Sequence, residues 1–143
     1  MKVSVQAEDF DAGVEIRALS RDPRVGAVAS FIGVVREVAM TLEHYPGMTD
    51  KALARIVEEA RGRWQVLDCC VIHRYGPLAP TDQIVFVAVA SAHRGDAFAA
   101  CEFIMDYLKT QAPFWKKEDT PQGARWVEAR ASDDEAAERW RQT

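Results

Sequence analysis

The chain has 143 residues, of which 48% are hydrophobic, enough for one domain with a buried core. Its formal net charge of -4 and its pI of about 5.4 argue against a general nucleic-acid or anionic-membrane surface, so any anion site must be a local cluster of basic residues. The chain shows no signal-peptide pattern and no apolar run long enough to span a bilayer, so a cytoplasmic location is expected.

The first part of the chain predicts a strand, a short helix and a second strand. Residues Lys2–Ala7 alternate as a strand does, and the short helix that follows can be capped by Asp9 or Asp11. The small and branched residues of 26–36 predict the second strand. Gly33 inside this run indicates a β-bulge or the close approach of another group.

The middle of the chain predicts a strand, a helix and a pair of strands. A short strand over 41–45 is followed by a turn and by a helix over 49–64, whose single apolar stripe is typical of a scaffold helix. Two further strands, 66–74 and 84–90, are joined by a turn-rich connection that contains two prolines.

The three cysteines and two of the histidines do not form a recognisable metal site. Cys69 and Cys70 are adjacent in a predicted strand and Cys101 lies in a predicted helix, so all three are expected to be buried thiols in a reducing compartment. His44 and His73 lie in predicted strands and are interpreted as structural. Because ligand pairs are lacking, neither a metal nor a cofactor is expected.

The stretch 91–118 contains the longest helical pattern in the chain. The helix is expected to begin near Gly95 and to end before Pro113. Its main apolar stripe, which should face the core, comprises Phe98, Cys101, Ile104, Met105 and Leu108. Phe103 and Tyr107 lie on the other side, which predicts a second apolar contact with another layer or another subunit.

Basic residues lie at both ends of this helix. A strand-to-helix junction places His93 and Arg94 where unpaired backbone N–H groups and the helix dipole favour anions. Each basic residue taken singly is more simply explained as solvated surface, because most exposed charges do no chemistry. Taken together they predict a candidate anion pocket, which comprises Arg36, His93, Arg94, Lys109, Lys116 and Arg130.

The carboxy-terminal part predicts an extended segment, a strand and a helix. The extended segment begins after Pro113, a strand follows over 124–130, and Asp133 can cap a last helix through Trp140. The elements interleave without a regular βαβ repeat, which favours an α+β two-layer arrangement in a single domain over residues 1–143. The glycine-rich phosphate loop, the G-x-S-x-G elbow and the H-E-x-x-H motif are absent.

Five segments carry a resemblance to a known family: FIGVVR (31–36), TLEHYPGMTDKAL (41–53), SAHR (91–94), IMDYLKTQAPFWKKE (104–118) and RWVEAR (125–130). They closely resemble the large, catalytic subunit of molybdopterin synthase, the MoaE family. The resemblance covers nearly the whole chain, and the run YLKTQAPFWKKE is highly specific.

The resemblance implies a sulfurtransferase of molybdenum cofactor biosynthesis. Such an enzyme installs the two dithiolene sulfurs that convert cyclic pyranopterin monophosphate into molybdopterin. The sulfur arrives as a thiocarboxylate on the C-terminal Gly-Gly tail of a small ubiquitin-like sulfur-carrier subunit. The implied assembly is a heterotetramer built on a dimer of large subunits, and the implied fold is an α/β hammerhead-like domain with an additional small antiparallel β-sheet.

The resemblance also implies roles for individual residues. Lys109 and Lys116 match the lysines at the end of the tail and are expected to be catalytic, with Lys109 indispensable. The expected substrate-binding residues are Arg36, His93, Arg94, Lys117 and Arg130, the last supplied across the dimer. The expected channel for the partner's tail is lined by Phe31, Met105 and Glu118. These residue types suit a phosphorylated substrate and a reaction that builds negative charge.

The connection after Arg36 departs from the family pattern. Only four residues, 37–40, precede Thr41, where family members usually carry a longer polar loop that contains glycine. Either the loop is short or a mobile segment is missing from the sequence. A short loop would alter one wall of the pocket and weaken the role expected for Arg36.

Two other functions remain open from the sequence alone. The first is a non-catalytic docking subunit for a ubiquitin-like sulfur carrier, and the second is an enzyme that acts on another phosphorylated heterocycle. The intact set of Lys109, Lys116, His93 and Arg94 favours the sulfur-transferring enzyme over the docking subunit, which would not need all four.

Overall fold

A computed structural model describes residues 1–120, 123–127 and 131–141 of the chain. Within these residues the strands are β1 (Lys2–Gln6), β2 (Ala27–Val34), β3 (Met40–His44), β4 (Asp68–Arg74), β5 (Gly76–Leu78), β6 (Gln83–Ser91), β7 (Phe114–Thr120) and β8 (Gly123–Val127). The helices are α1 (Ala12–Leu19), α2 (Met48–Arg63), α3 (Arg94–Gln111) and α4 (Ala131–Arg141).

The first sheet has the strand order β1-β4-β6-β2 and forms the centre of the core. β1 pairs with β4 in parallel, and the other pairs are antiparallel. Residues of β4 alternate between two apolar clusters: Cys69 and Val71 pack in the cluster that contains α2 and α3, whereas Cys70 and Ile72 pack with α1. Because both faces are covered, the central strands are apolar almost throughout, as their sequence predicted.

The second sheet has the order β5-β3-β7-β8 and is antiparallel throughout. Its edge strand β5 lies in the connection that the sequence predicted to be only turns. Pro77 is tolerated there because it sits in an edge strand, where a missing N–H need not interrupt the sheet. The mixed architecture of two sheets and surrounding helices confirms the predicted α+β class with an additional small antiparallel sheet.

Several local predictions can be compared with the structure directly. Asp11 caps α1, since its carboxylate accepts the Val14 N–H at 3.2 Å. The register of β2 shifts between Gly33 and Val34, and a Cβ atom at Gly33 would lie 2.7 Å from Cγ1 of Val85, so both the predicted irregularity and the predicted close approach are present. The last helix begins at Ala131, before the predicted cap at Asp133, so the acidic side chain lies in the first turn instead.

The connection between β2 and β3 is a tight turn. Glu37 has a φ of 69°, in the left-handed region that most residues avoid, and the Val38 N–H donates to the carbonyl oxygen of Arg36 at 2.8 Å. The chain therefore passes from Arg36 to Met40 without an extended loop. Across the described part of the chain, every helix is too short or too polar to cross a membrane.

The aromatic residues of α3 are arranged differently from the prediction. Phe98, predicted to face the core, is 65% exposed, because the first turns of α3 border an open groove. Phe103 is fully buried and contacts the rings of Trp64, Tyr107 and Trp140. The second apolar side of α3 is therefore covered by α2 and α4 of the same chain, which confirms the alternative of another layer.

This difference predicts opposite sensitivities for two phenylalanines of one helix. Phe103→Ala is expected to lower the free energy of unfolding by about 3–5 kcal/mol, because it leaves a cavity among packed rings. Phe98→Ala, the matched control, is expected to change it by less than about 0.5 kcal/mol. Denaturant titration of both variants measures the difference, and equal losses would contradict the placement of the two rings.

Candidate functional site

The predicted cationic residues fall into two groups at opposite ends of α3. His93 is the N-cap residue of α3 and Arg94 is its first residue, and both are exposed. Lys109 lies in the last turn. At 1.5 Å per residue, the fifteen steps from Arg94 to Lys109 separate their Cα atoms by about 22 Å. Within one chain, the histidine–arginine end (His93 and Arg94) and Lys109 do not form a single pocket.

Arg36 lies at the same edge of the fold as Lys109. The end of β2 pairs with the start of β6, at Val34 and Gln83. α3 follows β6 and packs back across the same sheet, where the Cys101 thiol donates to the carbonyl oxygen of Val87. The carboxy-terminal end of α3 therefore returns to the edge at which β2 ends and Arg36 follows.

β7 brings Lys116 to the same region. Its alternation places Phe114, Lys116 and Glu118 on one face and Lys117 on the other. The Lys116 Nζ lies 3.6 Å from a carboxylate oxygen of Glu118, and both side chains are about one-third exposed or less. We call Lys109 and Lys116 together the lysine end of the site.

A cluster of four rings underlies the lysine end and joins the two sheets. His73 of β4 stacks on Phe114 of β7 with 3.7 Å between ring centroids. His44 of β3 lies 4.3 Å from Tyr75 and 6.4 Å from Phe114. This ring cluster (His44, His73, Tyr75 and Phe114) was not predicted as a unit, because it depends on the pairing of strands that are distant in the sequence.

The electrostatics of His73 place Lys109 close to the ring cluster. The pKa of His73 is lowered to about 4, chiefly because the ring is buried. The neighbouring Lys109 and His44 side chains contribute to the lowering, and a hydrogen bond opposes it. That bond, 2.8 Å long, joins Nδ1 to the carbonyl oxygen of Arg74. His73 is therefore neutral at neutral pH and donates its Nδ1 proton to this carbonyl.

The low pKa of His73 predicts a loss of stability in acid. The pKa is about 6.5 in the unfolded chain and about 4 in the folded one, so the unfolded chain binds more protons between these values. The free energy of unfolding should fall by up to about 3 kcal/mol as the pH drops from 7 to 4. Urea titrations at both pH values measure this loss.

His73→Phe is the matched variant for this measurement, because it keeps the stacked ring and removes the titration. Carboxylates that lose stabilising partners in acid lower the free energy of unfolding equally in both proteins. The effect of His73 is therefore the difference between the two proteins in how steeply this free energy changes with pH. The variant should lose less stability than the native chain over the same range. Identical pH dependence in the two proteins would contradict the assignment.

An open groove of about 520 Å³ lies between β2 and α3. Its apolar lining includes Phe31, Phe98 and Met105. Phe31 is 43% exposed, whereas Met105 is 8% exposed and forms the floor next to the core. Lys109 follows Met105 by one helical turn on the same side of α3, so the groove leads towards the lysine end.

The remaining predicted residues are placed less fully. Glu118 lies on β7 near Lys116 and does not line the groove. Arg130 lies outside the described residues.

Within the described ranges, the structure contains no group of three histidine, cysteine or acidic residues that could hold a metal ion. Cys69, Cys70 and Cys101 are free and buried, and burial raises the pKa of each thiol to about 11 or 12.

The chain is similar to known proteins over nearly its whole length. Residues 5–111 match the family model described as MoaE protein. The chain is 63% identical to the molybdopterin synthase catalytic subunit of Ralstonia nicotianae, over 96% of this chain and 83% of that protein. It is 57% identical to the protein of that name from Escherichia coli, over 97% of each chain. The solved molybdopterin biosynthesis MoaE protein from Burkholderia ambifaria matches with a TM-score of 0.86 and 58% identity, over 98% of each chain.

Proposed function

The chain belongs to the MoaE protein family, and from this membership we propose that it is the catalytic subunit of a molybdopterin synthase. It acts in molybdopterin biosynthesis as a single domain over residues 1–143. It transfers sulfur from the C-terminal thiocarboxylate of a small ubiquitin-like subunit to cyclic pyranopterin monophosphate, and thereby forms the dithiolene. The reaction takes place in the cytoplasm, a reducing compartment that suits three free thiols.

The groove between β2 and α3 is the proposed channel for the partner's tail. A Gly-Gly tail has no side chains, so it fits in extended form between the exposed ring of Phe31 and the floor formed by Met105. The observation that carries the proposal is that Lys109 follows Met105, which lines the groove, by one turn on the same side of α3. A thiocarboxylate at the tip of the tail would then meet the lysine end.

The lysine end supplies positive charge where the reaction builds negative charge. Each transfer replaces a sulfur of the tail by an oxygen from water, so the tail leaves as a carboxylate and the sulfur stays on the pterin. Both the attacking thiocarboxylate and the departing carboxylate are anions that Lys109 and Lys116 stabilise. One well-placed donor of this kind contributes about 10²- to 10³-fold to the rate.

The histidine–arginine end and Arg130 belong to the phosphate side of the proposed site. A helix N-terminus with an adjacent arginine suits a phosphate group. Because the Cα atoms of Arg94 and Lys109 are about 22 Å apart in one chain, we infer that two copies of the chain combine, one supplying the lysine end and the other supplying His93 and Arg94. This arrangement fits the proposed heterotetramer, which is built on a dimer of large subunits.

Single-turnover sulfur transfer tests the proposed function. The purified chain is mixed with thiocarboxylated small subunit and cyclic pyranopterin monophosphate, and molybdopterin is measured over time. Product is expected only when all three components are present. A folded chain that binds the small subunit and yields no product would support a docking role instead.

A further inference from the structure

His44 contains a buried polar atom that the fold leaves unpaired. Solvent does not reach its Nδ1, and among the described residues no hydrogen-bond partner is within reach of that atom. Buried polar atoms in native proteins almost always have a partner, and an unpaired one lowers stability. An unsatisfied nitrogen next to a cationic site therefore suggests a partner that arrives only when the site is occupied.

The register of the second sheet places His44 next to Lys116. His44 pairs with Phe114, and Leu42, two residues earlier on β3, pairs with Lys116. His44 and Lys116 are thus diagonal neighbours on the same face of the sheet. Diagonal positions in an antiparallel pair are about 7–8 Å apart, which a lysine side chain can bridge.

Two groups on this face, Glu118 and His44, lie within the span of the Lys116 side chain. In the structure its ammonium group lies 3.6 Å from Glu118, an ion-pair distance that is too long for a hydrogen bond. This contact is therefore weak, and it offsets the positive charge that an anionic tail would need. His44 lies towards the opposite end of the face, and a neutral imidazole there could accept a hydrogen bond without cancelling the charge.

We propose that His44 is a positioning residue, whose Nδ1 accepts an N–H of Lys116 when the partner's tail is bound. The inference rests on the proposed function and deepens it. The hydrogen bond turns Lys116 away from Glu118 and holds its full charge towards the thiocarboxylate. It requires the imidazole to be neutral with its proton on Nε2, and the reaction itself transfers no proton to His44.

A matched pair of substitutions separates this role from simple ring packing. His44→Phe keeps an aromatic ring between Tyr75 and Phe114 and removes the acceptor. His44→Asn removes the ring and keeps an acceptor, because its side-chain oxygen is bonded to Cγ as Nδ1 is. In single-turnover sulfur transfer, His44→Phe should be about 10- to 100-fold slower than the native chain, and His44→Asn should be markedly faster than His44→Phe.

Stability measurements provide the second readout. Because His44→Phe removes an unpaired buried nitrogen, it should unfold at the same or a higher urea concentration than the native chain. A packing role predicts the reverse order, with His44→Phe active and His44→Asn inactive and unstable. A native rate in His44→Phe, or the reverse order of the two variants, would overturn the inference.

A double substitution tests whether His44 acts through Lys116. The contribution of the tail to binding is the difference in affinity between the small subunit with its tail and the same subunit without it. When Lys116 is already alanine, His44→Phe should not reduce this contribution further. Independent, additive losses would contradict the proposed contact. Absence of product with the native chain would count against the proposed function, whereas an unchanged rate in His44→Phe would count against this inference alone.

Discussion

Lys109→Ala is expected to slow single-turnover sulfur transfer by about 10²- to 10³-fold or more, while binding of the small subunit persists. Lys109 lies one turn beyond Met105 of the groove, and its charge acts on the buried imidazole of His73. Removing this charge takes away one of the two cations that we propose to stabilise the developing carboxylate of the tail. The groove that we propose for the rest of the tail is unchanged.

Lys51→Ala is the matched control for Lys109→Ala. Lys51 is also an exposed lysine in a helix, and it lies in α2, outside the groove and the lysine end. Both variants should unfold within about 1 kcal/mol of the native chain, because neither side chain belongs to the core. Equal activities of the two variants would show that Lys109 takes no part in the reaction.

Mixtures of two inactive variants should recover activity if the site is shared between copies. Lys109→Ala and Arg94→Ala are each expected to be nearly inactive, because each damages every site of its own dimer. In a mixed dimer one site carries both substitutions and the other carries neither. Random mixing should therefore restore about one quarter of the native activity, since half of the dimers are mixed and each of these has one intact site.

The control for this experiment combines two substitutions of the lysine end. Lys109→Ala mixed with Lys116→Ala should restore no activity, because each copy then carries a defect in its own lysine end. Native mass spectrometry verifies that mixed dimers are present. A site assembled from two copies would be contradicted if activity returned in this control. It would also be contradicted if no activity returned in the mixture of Lys109→Ala with Arg94→Ala.

Local patterns predicted much of the framework. Strands β4 and β6 are apolar on both faces because helices cover both sides of the first sheet, and such continuous runs are readable in a sequence. The helix α3 and its buried residues Cys101, Ile104 and Leu108 follow from their spacing alone. Phe98 fits the same spacing and is exposed, because periodicity identifies a side of a helix and not how far the neighbouring sheet extends.

The candidate site was less predictable because it depends on pairing between distant segments. The distance between Arg94 and Lys109 can be calculated from the number of residues between them, because both lie in the predicted helix α3 and the rise per residue of a helix is fixed. The ring cluster and the diagonal positions of His44 and Lys116 require the register of β3 against β7, which no local pattern supplies. Strand β5 was missed because Gly76 and Pro77 within it and the turn at Pro80 and Thr81 after it are typical of a loop.

The sulfur balance of a single turnover tests the central claim most directly. Mass spectrometry of the small subunit and of the pterin in one reaction measures the thiocarboxylate lost and the dithiolene formed. With the native chain, each molybdopterin formed should be matched by the conversion of two thiocarboxylate tails into carboxylates, and the Lys109→Ala variant should leave the tails intact. A native chain that binds the small subunit while its thiocarboxylate and the pterin remain unchanged would contradict the account.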